Sequence, residues 1–224
     1  SQEMLESDRF QKWVERMKGR KMWMHRKLWE WSFISQAFYE RGLLKPGRRG
    51  LGFAVGQEPL PALFASYGCE IVATDLSTAE VCGKDWMDTN QHAAGLHQLN
   101  KAQICPDDLF NERVSFRFVD MNQIDEDLRG FDFLWSSCAM EHLGSLAHGK
   151  QFIYNAMQCL KPGGFAVHTT EFNISSNQDT LAEGADVIYR KRDLEEIGNH
   201  LRAEGHNLDL DFSLGEKPFD LKVD

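Results

Sequence analysis

Cysteine is scarce and unpatterned in this sequence: Cys69, Cys82, Cys105, Cys138 and Cys159 make an odd set with no CxxC pair. That argues against a disulfide framework and against a zinc site built from cysteines; reduced thiols in the cytoplasm explain it best. No uninterrupted apolar run approaches the roughly 18 residues that a membrane span needs. The polar, acidic residues 1–9 resemble neither a secretory signal nor an Arg-rich transit peptide. Repeats, low-complexity tracts and a linker able to split the chain are missing too. What is present is 224 residues, 42% of them hydrophobic, enough for one well-buried core and a small appendage.

The net charge of −9 is unevenly spread. Residues 1–49 hold 12 of the 25 Lys and Arg but only 6 of the 34 Asp and Glu, so this segment is basic and the rest carries about −15. An acidic body disfavours backbone-driven nucleic-acid binding, which needs many cations facing phosphates. The basic segment retains the means to touch an anionic partner.

Residues 8–41 read as one or two amphipathic helices, with Phe10, Trp13, Val14 and Met17, then Trp23, Leu28, Trp31, Phe33, Ile34 and Phe38 among basic residues. Four of six tryptophans lie here. An aromatic stripe of this kind is usually core, so a helical layer packed on the main domain ranks ahead of a lid, a membrane-surface helix or a partner-docking face. Lys45-Pro46-Gly47 closes the segment, which divides the chain into a helical part, 1–47, and a main domain, 48–224.

From residue 48 the pattern becomes strand–turn–helix. Strands are expected over 49–55, 70–74, 114–119, 131–136 and 165–170, with late strands over 207–214 and 219–223. Helices are expected over 59–67, 146–160 and 192–204, and 76–112 reads as polar helix or loop. Repeated β-α-β with short connections implies an α/β fold: a doubly wound, mainly parallel sheet with helices on both faces and an N-terminal helical extension. The chain ending soon after the last expected strand fits a domain cut from a longer protein as well as a tight terminus.

Ligands of such sheets bind beyond the carboxyl ends of the strands. Those ends carry Gly52-Phe53-Ala54-Val55-Gly56, then Asp75-Leu76, then Asp120-Met121, then Ser136-Ser137. Small residues after the first strand admit a ligand close to the backbone, and the next helix N-terminus offers N–H groups. An acid at the end of the second strand is placed for a ribose diol. Asp120 with Met121 pairs a polar edge with an apolar face for adenine. Turn and capping roles explain each of these singly; their order is what counts.

On these residues the chain resembles the class I, Rossmann-like, S-adenosylmethionine-dependent methyltransferases over about 48–214. LGFAVGQEP (51–59) resembles the glycine loop, IVATDLS (71–77) carries Asp75 as the ribose carboxylate, and FRFVDM (116–121) places Asp120 and Met121 beside adenine. FDFLWSSCAMEHLG (131–144), with Ser137, resembles the strand ending beside the reacting methyl, and LKPGGFAVHTT (160–170) the element that follows it. The resemblance implies S-adenosylmethionine as cofactor, held by Gly52, Ala54, Gly56, Glu58, Asp75, Leu76, Asp120, Met121 and Ser137. The family loop reads acidic-x-Gly-x-Gly-x-Gly; here the matching positions are Gly52, Ala54, Gly56 and Glu58, with two glycines replaced and the acid displaced. Ala54 is a mild change if its φ is negative. Glu58 either bonds near the cofactor or caps the helix at Pro59.

Methyl transfer is an in-line displacement, and a hydroxyl acceptor additionally needs a base or a metal. His142 is the expected base, with Glu141 beside it and Glu171 either orienting it or taking the proton. The alternative is that Glu141 and His142 pin the following helix. The Glu-His pair and TTEFN (169–173) also resemble the small-RNA 2′-O-methyltransferases, which use a divalent metal. Cys138 stands where that family has a second Glu, so a metal, through Glu141, His142 and Glu171, is not favoured. His168 reads as a satisfied core residue, and Trp86, Gln91 and His92 as candidates for the acceptor pocket. The leading expectation is an O-methyltransferase acting on a sugar, such as one of a surface polysaccharide, or another small polar acceptor. An RNA 2′-O-methyltransferase and a non-catalytic binding module whose Trp-rich helices dock a partner are the competitors.

Overall fold

The computed structural model describes residues 1–17, 25–77 and 95–221; Trp86, Gln91, His92 and the middle of the 76–112 segment lie outside them. Helices α1 (Gln2–Glu6), α2 (Asp8–Arg16) and α3 (Arg26–Glu40) precede strand β1 (Arg49–Phe53). Then follow α4 (Leu60–Ser66), β2 (Glu70–Asp75), α5 (Asp107–Arg113), β3 (Val114–Phe118), β4 (Phe131–Ser137), α6 (Leu146–Met157), β5 (Leu160–Thr169) and α7 (Lys191–Ala203). The five strands form one parallel sheet in the order β3-β2-β1-β4-β5. The chain therefore winds outward from β1 to β3, then crosses to β4 on the other side of β1. The crevice between the ends of β1 and β4 is the topological switch point.

Alternation in the strands sorts side chains onto the two faces. Leu51, Phe53 and Leu134 join Phe152, Ile153, Ile197 and Leu201 of α6 and α7 in one core. Ile71, Ala73, Phe133 and Trp135 join residues of α3, α4 and α5 in the other. Gly50 and Gly52 fall on this second face, where a Cβ would come within 2.4 Å of the Phe133 ring and 2.5 Å of the Trp135 ring. The Gly52 position is thus set by aromatic packing of β4 across β1.

Helices α2 and α3 reach this second core through Trp13, Ile34 and Phe38, while Leu5, Phe10, Val14 and Leu28 form a small cluster of their own. Ser7 caps α2 through the Phe10 N–H, and Phe10, Trp13 and Val14 face inward at helical spacing. Phe38 of α3 is fully buried and lies 4.6 Å from Phe133 between ring centroids, with Phe64, Phe165 and Trp135 around it. At the far edge, the Gln2 N–H donates to Asp220 (2.6 Å), Lys217 pairs with Glu6, and the Phe219 N–H donates to Gln2 (2.9 Å). No helix among the described residues is long and apolar enough to cross a membrane.

Three expectations are corrected. Residues 207–214 form no strand: Leu208 and Leu210 turn their alternating side chains onto Gly198 of α7, and Phe212 stacks on Phe172. Residues 219–221 are turn, and 222–224 lie outside the described residues. The helix expected over 146–160 stops at Met157, and Lys161-Pro162-Gly163-Gly164 lies within β5 as a bulge, with Leu160 opposite Phe131 and Phe165 opposite Phe133.

Candidate functional site

The loop after β1 turns sharply through two left-handed residues, Ala54 (φ 47°) and Gly56 (φ 52°). The expectation of a negative φ at Ala54 is overturned: a Cβ sits where glycine is favoured, at a cost of about 1–2 kcal/mol. Ala54→Gly is expected to raise stability by about 0.5–1 kcal/mol, read as a higher urea midpoint at unchanged slope. An unchanged or lower midpoint would show that the loop relaxes this strain elsewhere. Asp75 is buried at the end of β2 and accepts from the Gly56 N–H (3.2 Å) and the Leu76 N–H (2.8 Å). The acid thereby fastens the loop to β2.

Glu58 does not cap the next helix, whose N-cap is Pro59 without a side-chain bond. Its carboxyl turns inward and accepts from the Trp135 indole (2.6 Å). Burial pushes its pKa up to about 8, against the pull of Trp135 and Lys27. At the end of β3, Asp120 closes a turn by accepting from the Asn122 N–H (2.8 Å), while Met121 is buried in the α6/α7 core.

The carboxyl ends of β4 and β5 hold most of the polar chemistry. Ser136 bonds His168 Nδ1 (2.8 Å). His168 Nε2 is shielded with no partner, so the ring is only half satisfied, and burial lowers its pKa to about 4. Cys138, left-handed at φ 46°, donates its N–H to the Thr169 carbonyl and hydroxyl (both 3.1 Å). A 3-10 turn, Met140–His142, then carries Glu141 inward and His142 outward. Glu141 accepts from Thr170 (3.1 Å), its other oxygen is buried without a partner, and burial raises its pKa. His142 Nδ1 lies 2.7 Å from Asp186 and 3.2 Å from the Ala185 carbonyl. Glu171 pairs with Arg26 of α3. The expected Glu171–His142 contact is therefore replaced: Asp186 orients the imidazole.

Cys138, Glu141 and Glu171 bring ligand atoms within 4.8 Å of one another, the one such group among the described residues. His142 is not in it. The group fits a divalent cation poorly, since the Arg26 guanidinium already neutralises Glu171. Burial, with Glu141 and Glu30 nearby, also holds the Cys138 thiol far above its ordinary pKa, and a metal ligand must be a thiolate.

Four residues in this cluster escape the sequence reading: Arg26, Lys27 and Glu30 of α3, and Asp186. Glu30 is buried, and one of its oxygens accepts from Ser137 (2.8 Å), Thr169 (3.1 Å) and Lys27 (3.2 Å). Lys27 also donates to the Ser137 carbonyl (3.1 Å). The available signal was charge at helical spacing, 27 and 30, inside an aromatic stretch.

Sheet order, switch point and strand-end acids together define the Rossmann-like fold found in S-adenosylmethionine-dependent methyltransferases. Solved structures share it. The [4+2]-cyclase SpnF matches 76% of this chain and 56% of its own at 18% identity, with a TM-score of 0.54. DhpI, in complex with SAH, matches 86% of this chain and 85% of its own at 13% identity, with a TM-score of 0.51. The glycopeptide N-methyltransferase MtfA with sinefungin matches at 18% identity and a TM-score of 0.47; 67% of this chain covers 53% of MtfA. The chain thus spans about half the length of MtfA and SpnF. No protein-family model and no curated protein sequence matches it.

Proposed function

We propose that the chain is an S-adenosylmethionine-dependent O-methyltransferase acting on a sugar, glycan or other small polar acceptor. The observation that carries this reading is the His142–Asp186 pair at the carboxyl end of β4, beside the switch point whose other flank is the Asp75-fastened loop. In this reading Gly52, Ala54, Gly56, Asp75 and Leu76 bound the cofactor's ribose and methionine side, and Asp120 and Met121 its adenine. Ser137 would help hold the cofactor's sulfur end, and Glu58 braces the loop's far side through Trp135. The cofactor, when bound, supplies an electrophilic methyl on a sulfonium.

The chain's part is alignment and proton removal. With Nδ1–H directed at Asp186, Nε2 of His142 would take the proton of an acceptor hydroxyl as that oxygen received the methyl, the C–S electron pair staying on sulfur. Asp186 then stabilises the imidazolium. Arg26, Glu171 and Thr170 add donors and acceptors suited to a hydroxyl-rich acceptor.

Titration calorimetry with S-adenosylhomocysteine, followed by methyl incorporation into sugar acceptors, tests the reading. Wild type and His142→Ala are expected to bind the product alike, while the variant transfers methyl at least about 100-fold more slowly. No binding at millimolar ligand removes the cofactor assignment; an undiminished rate in His142→Ala removes the base. Binding without transfer favours other chemistry on this fold, as the name of SpnF illustrates.

A further inference from the structure

We propose that Glu30 is a positioning residue of the site, through which helix α3 fixes the strand-end hydroxyls of Ser137 and Thr169; the inference rests on the methyltransferase reading for what those strand ends do. The geometry is convergent. One carboxylate oxygen of Glu30 receives Ser137 Oγ at 2.8 Å, Thr169 Oγ1 at 3.1 Å and Lys27 Nζ at 3.2 Å, and Lys27 reaches on to the Ser137 carbonyl at 3.1 Å. The strand-end partners all lie at the carboxyl ends of β4 and β5, on the side of the sheet where ligands of this architecture bind. Ser137 precedes Cys138, and Thr169 precedes Thr170 and Glu171, so the carboxylate sets the departure point of both segments that carry Glu141, His142 and Glu171.

Stability alone is a weak reason for this arrangement. The Glu30 side chain is 4% exposed and that of Lys27 24%, so both charges have lost most of their water. Replacing such a pair by apolar side chains is often neutral or stabilising. The immediate surroundings, Trp29, Trp31 and Phe33, already supply apolar packing on α3.

The protein contains its own control. At the opposite, amino end of the sheet, Asp132 collects Arg48 (2.8 Å), the Arg49 N–H (2.9 Å) and Lys161 (3.1 Å). It is also a buried, multiply bonded carboxylate, but it is far from the strand ends that bind ligands. A merely structural Glu30 would behave as Asp132 does.

The experiment compares Glu30→Gln with Asp132→Asn in the full chain, with Lys27→Met/Glu30→Gln added to remove the unpaired buried ammonium. Amide exchange in the ligand-free protein is the first readout. Glu30→Gln and the double variant are expected to lose about tenfold protection at Cys138 and its neighbours, where Asp132→Asn does not. Methyl-transfer rate is the second: a displacement on the order of 1 Å costs about 100-fold, so kcat is expected to fall by about that factor in both Glu30 variants. Binding of S-adenosylhomocysteine is expected to change less than about threefold, and Asp132→Asn to keep its rate at an equal loss of thermal midpoint. Unchanged strand-end exchange, or a rate that tracks thermal stability in the same way for Glu30→Gln and Asp132→Asn, overturns the proposal. Should wild type fail to bind S-adenosylhomocysteine, the methyltransferase reading falls, and the exchange comparison still decides whether Glu30 positions the strand ends.

Discussion

Truncation of Phe38 to alanine is expected to lower stability by about 3–5 kcal/mol, the range for removing a fully buried aromatic ring. Phe38 has no exposed surface, and its ring meets Phe133 at 4.6 Å, Phe64 at 5.7 Å, Phe165 at 6.1 Å and Trp135 at 6.5 Å. Those neighbours come from three other elements, α4, β4 and β5, so no single side-chain rotation refills the space. Urea unfolding measures the loss. A cost below about 1 kcal/mol would mean that α3 is a separable layer, contrary to the shared core in which it lies. The same helix would then be a poor platform for Glu30, which depends on Phe38 holding the far end of α3 against the sheet.

Glu58→Gln is expected to stabilise the protein at alkaline pH by up to a few kcal/mol and to have little effect in acid. The carboxyl titrates near pH 8 in the fold, against an ordinary value of 4.5, chiefly because burial disfavours its charge. Between pH 4.5 and 8 the folded state therefore holds a proton that the unfolded state has released, and stability falls as pH rises. The loss is complete above about pH 8 and absent below 4.5. A shift of this size corresponds to roughly 5 kcal/mol, an upper figure for the pH-dependent loss. Glutamine keeps an oxygen for the Trp135 indole and carries no charge to bury. Thermal unfolding of both proteins from pH 5 to 9 should give curves that converge in acid and separate in alkali. Parallel curves would place the titration elsewhere.

The strands were legible because each is a short apolar run closed by a polar residue, and the order of those closures pointed to the fold. The late strand failed because alternation records only which side chains seek cover: Leu208 and Leu210 found it against Gly198 rather than in a ladder. Ala54 looked harmless because composition does not reveal the sign of φ. His142 was visible as a titratable group after an apolar strand, whereas its orienting Asp186 sits in a segment without periodicity. Glu30 was the least readable of all. Its partners Ser137 and Thr169 stand 107 and 139 residues away, and nothing local distinguishes its carboxylate from one that faces water.

The clasp between Gln2 and Asp220 bears on how the molecule assembles and breathes. It joins residues 218 apart, the widest sequence separation among the hydrogen bonds described, through a part-buried bond flanked by two exposed ones. Closing so long a loop is entropically unfavourable until the intervening chain has become compact. The clasp therefore depends on the sheet, whose packing brings α1 and the 217–220 turn within reach of each other. The amides of α1 and of the 217–220 turn are accordingly expected to exchange ahead of those of the sheet, which native-state hydrogen exchange would check.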